Sequence, residues 1–438
     1  MNKIGDVSLT VGMIFLLVQL NSTELSITNT LHQYNFMQLT DDTNYYISQF
    51  LFICFMIAAA AKSAQILLHT WLSDAMQGPT PVSSLLHAAT LVVAGVVLLV
   101  KVADLISVVS MTQLQIIGLI SALLGGTLAL GQTDIKSIIA YSTLSQFGYI
   151  ISISSLATVS LAYFHVSTHA CFKAALFMCA GALIHSNYDN QDVRRFGGIV
   201  NQMPVSYAAM LACSASLITV PYLSGNISKD LIIEAHFSQF KNVANFAFVL
   251  GVLASTITVI YSIKLLITAF WSTSNANTTH FSQAHEANNY ALVPITILSI
   301  LAVCLGYLSF GFIVESNLLN DLIVRMELWL AEFNYSINLY FFVLPLSVKI
   351  IPFFALIFTV PIAIMYYNSN LPLLVSKVAL LDKALYARLY FDSISAKLHF
   401  STIKFSYWLS NSIDLGLLEL IINVNDFKVK HNTTTSSY

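Results

Sequence analysis

Apolar residues run along this chain in long blocks separated by short polar connections, without the brief alternation that marks strands. A helix that crosses a bilayer needs about 20 mostly apolar residues. Blocks of that kind lie near 4–20, 47–68, 83–101, 112–131, 137–155, 158–184, 204–222, 243–271, 291–312 and 339–367. The pattern predicts an all-α, polytopic membrane bundle of about ten transmembrane helices. A shorter stretch, Ser228 to His236, predicts a half-helix ahead of the eighth span.

Two connections interrupt the pattern. Gly78, Pro79 and Pro81 forbid a continuous helix and place Lys62 upstream and His87 downstream of a tight turn. Around Gly225 to Asp230 a second break is expected, with Ser228 capping a new helix and Asp230 in its first turn. After Asn370 the pattern changes again. Lys377, Lys383, Arg388, Lys397 and Lys404 alternate with Leu, Ile, Phe and Tyr at helical spacing, too charged to span and too apolar to float free. That reads as an amphipathic helix along the membrane or a partner. The expected organisation is a bundle over 1–370, a lateral amphipathic region over 371–425 and a polar tail over 426–438.

Composition agrees with the membrane reading. Of the 438 residues 57% are hydrophobic and 9% charged, where a soluble domain carries roughly 25% charged. A net charge of −2, with no basic patch, gives no reason to expect a nucleic-acid partner. The five cysteines lie in apolar runs and none forms CxxC, so neither a disulfide framework nor a zinc site is expected. The first block follows Lys3 and lacks a cleavage pattern, which reads as a retained membrane helix. Lys3, Arg194, Arg195 and the basic C-terminal cluster fall on one side, and both chain ends are expected there, in the positive-inside compartment.

Several ionisable residues fall inside the predicted spans, each costing about 2.5–3.5 kcal/mol at the bilayer centre. Snorkelling to an interface accounts for Lys101, Lys264 and Lys136. It does not account for Lys62, which follows Ile57-Ala58-Ala59-Ala60-Ala61. In HVSTHACFK (165–173), His165, His169 and Lys173 step round a helix by about 40° each and climb about 12 Å, forming a ladder on one face. A metal site, a set of satisfied structural groups and a proton path compete. The zinc-peptidase pattern fails because Val166 stands where Glu is needed. Histidine titrates near neutrality and passes a proton between its two nitrogens. Like charges 10 Å apart at an effective dielectric of 20 interact by about 1.7 kcal/mol, enough to shift a neighbour's occupancy roughly tenfold.

The stretch AKSAQILLHTWLSDAMQGPTPVSSLLHAATLVVAG (61–95) resembles the signature of the NADH dehydrogenase subunit 5 family, the distal antiporter-like subunits of respiratory complex I. Similarity continues through QTDIKSIIAYSTLSQFGY (132–149), HVSTHACFKAALFMCAGALIH (165–185), QDVRRFGG (191–198) and SGNISKDLIIE (224–234). The opening NKIGDVSLTVG resembles the start of the family's sixth helix, and LYFDSISAKL (389–398) the start of its lateral region. The resemblance implies an antiporter-like fold with broken helices. It also implies proton pumping driven by NADH oxidation and ubiquinone reduction elsewhere in the complex, at the mitochondrial inner membrane with the ends on the matrix side.

By position, Lys62 is similar to the family's central lysine, normally paired with a glutamate on the fifth helix, and His87 to a bridging residue. His165, His169 and Lys173 are similar to the connecting row, and Lys229 and Asp230 to the terminal lysine and its neighbour. NADH, flavin, iron–sulfur clusters and ubiquinone are expected on other chains; no Gly-rich loop or cysteine cluster would hold them here.

The departures generate further expectations. Leu67 and Ser73 stand where the family usually has prolines, so the Lys62 helix is expected to be less sharply broken. The first five helices of the family have no counterpart, which leaves Lys62 without its glutamate. The missing helices are expected on a separate polypeptide, from a split gene, beside subunit 4, other membrane-arm subunits and lipid. The alternative function is the large subunit of a multi-subunit cation/proton antiporter; a purely structural clamp would not keep so many buried charges.

Overall fold

The computed structural model describes residues 1–20, 42–103, 108–156, 159–238, 242–273, 284–310, 345–368 and 379–413. It is helical in every named element. The helices are α1 (Asn2–Leu20), α2 (Asp42–Lys62), α3 (Thr70–Asp74), α4 (Thr80–Ala88), α5 (Leu91–Val102), α6 (Val108–Gly131), α7 (Ile135–Ser154) and α8 (Val159–Ser186). They continue as α9 (Pro204–Ile218), α10 (Leu231–Ser238), α11 (Asn242–Leu266), α12 (Asn289–Ser309), α13 (Leu346–Asn368), α14 (Ala379–Tyr386) and α15 (Phe391–Leu409). Six stretches among the described residues are long and apolar enough to cross a membrane: Thr80–Val102, Met111–Gly131, Ser160–Ser186, Asn245–Trp271, Asn289–Ser309 and Leu346–Tyr367. Ser48–Lys62 and Pro204–Ile218 are apolar but shorter.

The helix α7 differs from the rest. It is 20 residues long, enough to cross, and every one of its residues is buried. Its neighbours are α3, α4, α5, α6, α8, α10 and α11. Because no part of it meets lipid, it can carry Ser142, Gln146, Tyr149 and Ser152 among its apolar residues, provided each finds a partner inside the bundle. Small residues let α6 and α7 approach backbone to backbone. A Cβ on Gly118 would stand 2.7 Å from the Gly148 carbonyl oxygen, and one on Gly148 would stand 2.5 Å from the Ala122 nitrogen.

The expected mild break after Lys62 is overturned. The helix stops at Lys62, and the next begins only at Thr70. Between them Ala64 and Leu67 take left-handed backbone, φ 53° and 73°, at about 1–3 kcal/mol each for a residue with a side chain. The segment holds without proline because its polar groups are tied down. Ser63 Oγ donates to the Val92 carbonyl at 2.7 Å, Ser121 Oγ donates to Gln65 Oε1, and the Trp71 indole donates to the Ala61 carbonyl at 3.0 Å.

The second break lies at 219–225. Thr219 and Tyr222 are left-handed, φ 70° and 68°. The hydroxyls of Ser216 and Ser224 both donate to the Ala302 carbonyl of α12, pinning the turn. A wide π turn, Asn226–Asp230, then leads directly into α10. Ser228 therefore does not cap the new helix as expected, because helical backbone already begins two residues earlier.

Lys264 and Lys136 do not snorkel. Lys264 Nζ donates to the carbonyls of Leu130 (2.6 Å) and Gln132 (2.8 Å), capping the C-terminus of α6, and Lys136 Nζ donates to the Gly78 carbonyl at 3.1 Å.

Met1–Tyr386 and Ala387–Tyr438 are separate compact units. In the second, Arg388, Leu389 and Tyr390 are left-handed before α15 starts, and Arg388 bonds Asp392 at 2.9 Å. Within that unit α15 exposes Ile394, Leu398, Ile403, Phe405 and Trp408. The predicted tail over 426–438 lies outside the described residues.

Replacing Gly148 by Leu is expected to force α6 and α7 apart and to deplete the chain from its native membrane assembly. Blue-native electrophoresis with immunodetection measures this; Gly251→Ala, whose nearest neighbour to an added Cβ is 3.6 Å away, serves as the tolerated control.

Candidate functional site

The buried α7 decides where the ionisable groups go. Ser142, Gln146, Tyr149 and Ser152 sit at spacings of four, three and three. On a helix these fall within about 120° and climb about 15 Å, a stripe up one side. Each rung meets one titratable side chain. Lys173 Nζ donates to Ser142 Oγ and, at 3.4 Å, to the Ile139 carbonyl. Gln146 Oε1 lies 3.3 Å from His165 Nε2. Lys229 Nζ stands over the Tyr149 ring, 5.2 Å from its centroid. Ser152 Oγ lies 2.9 Å from His236 Nε2.

The ladder predicted on 165–173 is thus real and faces inward. His165, His169 and Lys173 are all 1% exposed or less. The His165 and His169 ring centroids are 6.3 Å apart, and His169 packs edge-on against Phe147 and Phe172. At its upper end the ladder reaches the second break. Ser228 Oγ lies 2.9 Å from His165 Nδ1 and accepts a hydrogen bond from Thr168 Oγ1 at 3.1 Å. The hydroxyl expected to cap a helix instead ties α8 to the segment that carries Lys229. Lys229 Nζ donates to Thr258 Oγ1 at 2.8 Å, and Asp230 accepts from the Asn226 amide. Lys173 and Lys229 are among the largest fully buried side chains in the bundle. Such burial leaves hydrogen bonds, not water, to stabilise their charged forms.

His87 enters from α4. It is fully buried, 5.7 Å from the Phe177 ring, and its nitrogens have no hydrogen-bonding partner among the described residues.

Lys62 behaves differently from its expectation. Its partner is not missing: Nζ is 2.8 Å from Oδ1 of Asp6 on α1. The two side chains are 34% and 48% exposed, so the pair lies at the surface of the described bundle and not in its centre. Asp6 was passed over in the sequence, although an acidic residue inside an otherwise apolar opening helix was a readable signal. The α7 stripe was also passed over; its signal is the 3.6-residue recurrence of Ser, Gln and Tyr in YSTLSQFGYIIS.

Asp134 and Asp192 form an isolated bridge, and the Ile135 N–H donates to the Gln191 carbonyl, so α7 begins at the face carrying Arg194 and Arg195. There the Arg194 guanidinium donates to both oxygens of Asp192, and this side-chain hydrogen bonding holds the Asp192 carboxyl below its usual range. The polar stripe ends near the opposite face.

A family model described as NADH:quinone oxidoreductase/Mrp antiporter, transmembrane, matches residues 1–258. The NADH-ubiquinone oxidoreductase chain 5 of Schizophyllum commune is 36% identical over 432 residues, covering 96% of this chain and 61% of that one. Its counterpart from Hypocrea jecorina is 35% identical over 378 residues, 84% and 52% of the two chains. That of Dictyostelium citrinum is 34% identical over 466 residues, 100% and 68%. The chain thus spans half to two thirds of the length of these relatives. A solved structure of the Mrp complex from Dietzia sp. DQ12-45-1b contains a chain of the same fold, with a TM-score of 0.66 at 23% identity over 98% of this chain and 46% of that one.

Removing the Ser142 hydroxyl leaves the buried Lys173 ammonium with one carbonyl partner. Ser142→Ala is expected to cost about 1–3 kcal/mol, read as a lowered midpoint of thermal unfolding in detergent, with Ser142→Thr restoring most of it.

Proposed function

Because this chain belongs to the NADH:quinone oxidoreductase/Mrp antiporter family of membrane subunits, we propose that it is a membrane-arm core subunit of respiratory complex I that translocates protons. One observation carries the proposal: Lys173, His169, His165, Ser228 and Lys229 form a buried row along α7, in which Lys173 reaches Ser142, His165 reaches Gln146 and Ser228, and Lys229 stands over Tyr149, with the His169 ring 6.3 Å from that of His165. Relatives named chain 5 at about 35% identity favour complex I over a free-standing antiporter; the Mrp likeness is one of fold. NADH oxidation and ubiquinone reduction are assigned to other subunits, which hold the flavin and iron–sulfur clusters. The setting is the mitochondrial inner membrane, with the Arg194 and Arg195 face towards the matrix. Subunit 4 and other membrane-arm subunits are the neighbours, and the region around α15 lies laterally along them.

The residues divide the work by position. Asp6 and Lys62 form an ion pair that opens and closes. When it opens, the unbalanced lysine charge acts on the row through His87. Protonation of one member disfavours protonation of the next by about one pK unit at 10 Å, so charge moves stepwise instead of accumulating. Lys229, with Asp230 beside it, is the last lysine of the row. Histidines at two positions let a proton enter one nitrogen and leave from the other.

Replacing Lys229 by Met in the assembled complex is expected to lower protons moved per NADH oxidised, with the complex still assembled. Fluorescence quenching in sealed inverted membranes, alongside NADH absorbance, measures both. An unchanged ratio would falsify the proton-translocating reading. Asp6→Asn is expected to slow translocation and Asp6→Glu to retain it; equal activity of the two variants would remove Asp6 from the mechanism.

A further inference from the structure

The stripe on α7 does not end at Lys229. Its last rung, Ser152, meets His236, a residue that the sequence left in the half-helix without a role. His236 is fully buried on α10 and is bonded on both edges. Ser152 Oγ lies 2.9 Å from Nε2, and the Gln115 amide nitrogen lies 2.8 Å from Nδ1. Gln115 and Ser152 are themselves 1% exposed or less. His236 follows Lys229 by seven residues, from the π turn into α10, and the two side chains meet successive rungs of the α7 stripe, Tyr149 and Ser152.

All three partners stand near one face of the bundle. Ser152 is two residues from the end of α7, His236 two from the end of α10, and Gln115 two turns into α6, which starts at Val108. That face is opposite Arg194 and Arg195, where α7 begins. The row that starts at Lys173 thus extends, in the same direction and on the same stripe, past Lys229 to a titratable group just inside the far surface.

We infer that His236, held between Ser152 and Gln115, carries the proton from Lys229 out to the face opposite Arg194 and Arg195. This rests on the proton-translocating reading of Lys229. The hydrogen bonds define the resting state. Gln115 donates its amide N–H to Nδ1, so the ring's own proton is on Nε2 and is donated to Ser152 Oγ, which donates to the Tyr149 carbonyl at 2.8 Å. Rotation of the Gln115 amide puts its carbonyl oxygen at Nδ1 instead. One N–H breaks at Lys229 as one forms at Nδ1, through intervening water, and Nε2 keeps its own proton towards Ser152. The resulting imidazolium donates from Nε2 to Ser152 Oγ and from Nδ1 to the Gln115 oxygen. When the amide turns back, its N–H faces Nδ1, the N–H at Nδ1 breaks and the proton leaves towards the surface. No electron moves, and the site returns to neutral. Gln115 acts as the gate, since its oxygen holds the imidazolium and its N–H favours the neutral ring.

A static clamp joining α6, α7 and α10 would need the same two hydrogen bonds but no titratable ring. His236→Gln separates the two roles, because an amide can bond both partners but cannot hold the proton. The test uses the assembled complex in sealed inverted membranes, with native electrophoresis to verify assembly. It compares His236→Gln, His236→Lys and Lys229→Met.

The expected result is that His236→Gln lowers protons per NADH to the Lys229→Met level while assembly holds, and that His236→Lys recovers part of the loss. If Lys229→Met is impaired and His236→Gln equals the parent, the His236 inference fails alone. If neither variant changes the ratio, the underlying translocation reading fails with it. Should His236→Gln not assemble, Gln115→Glu decides. A carboxylate at that position holds the imidazolium and is expected to slow proton release several-fold at unchanged assembly. Parent-like translocation by Gln115→Glu overturns the inference.

Discussion

A cation buried in a bundle of apolar helices has no water to fall back on, and the protein must bring it an acceptor. That constraint organises the structure around α7. A helix facing lipid cannot display serine, glutamine and tyrosine rungs without penalty. A helix enclosed on all sides can, and all 20 residues of α7 are enclosed. Its stripe supplies Ser142 to Lys173, Gln146 to His165, the Tyr149 face to Lys229 and Ser152 to His236. Remove the enclosure and the rungs become liabilities. Remove the rungs and four buried cationic or titratable groups lose the side-chain partners that α7 brings them.

The broken helices serve the same end. An unbroken α-helix satisfies its own backbone and offers nothing to a neighbour, whereas a break frees groups at depth. The turn at 219–225 is secured by paired serines on the Ala302 carbonyl, and the π turn that follows delivers Ser228 to His165 and Lys229 to Thr258. After Lys62, left-handed Ala64 and Leu67 break the helix without proline, where a milder break was expected. Their strain is held by side-chain bonds to Val92 and Ser121. Sequence composition signals a proline break openly; it conceals one that depends on partners 29 and 56 residues away.

Local pattern made much of this visible. Six of the ten predicted blocks coincide, among the described residues, with helices long and apolar enough to cross a membrane, since hydrocarbon thickness sets helix length whatever the neighbours do. The four-residue spacing of His165, His169 and Lys173 placed them on one face, because helical geometry alone dictates it. The half-helix at 228–236 was also legible from its flanking breakers. What periodicity could not give was which face meets which. Asp6 and Lys62 are 56 residues apart in sequence, and nothing local joins them. The stripe on α7 carries the same residue types that occur in polar loops, and only full burial turns it into a row of partners for buried lysines and histidines.

The sequence by itself determined that this chain is a membrane bundle, where its spans run and which ionisable residues sit too deep to be solvated. Those properties follow from hydrophobic length, backbone chemistry and helical period, all of which act within a few turns. The tertiary structure alone decided that Lys62 pairs with Asp6, that Ser228 bonds a histidine instead of capping a helix, and that the buried row continues to His236. These depend on which helices pack together. That packing is set by long-range complementarity, such as the glycine contact of α6 with α7, which no single stretch of sequence contains.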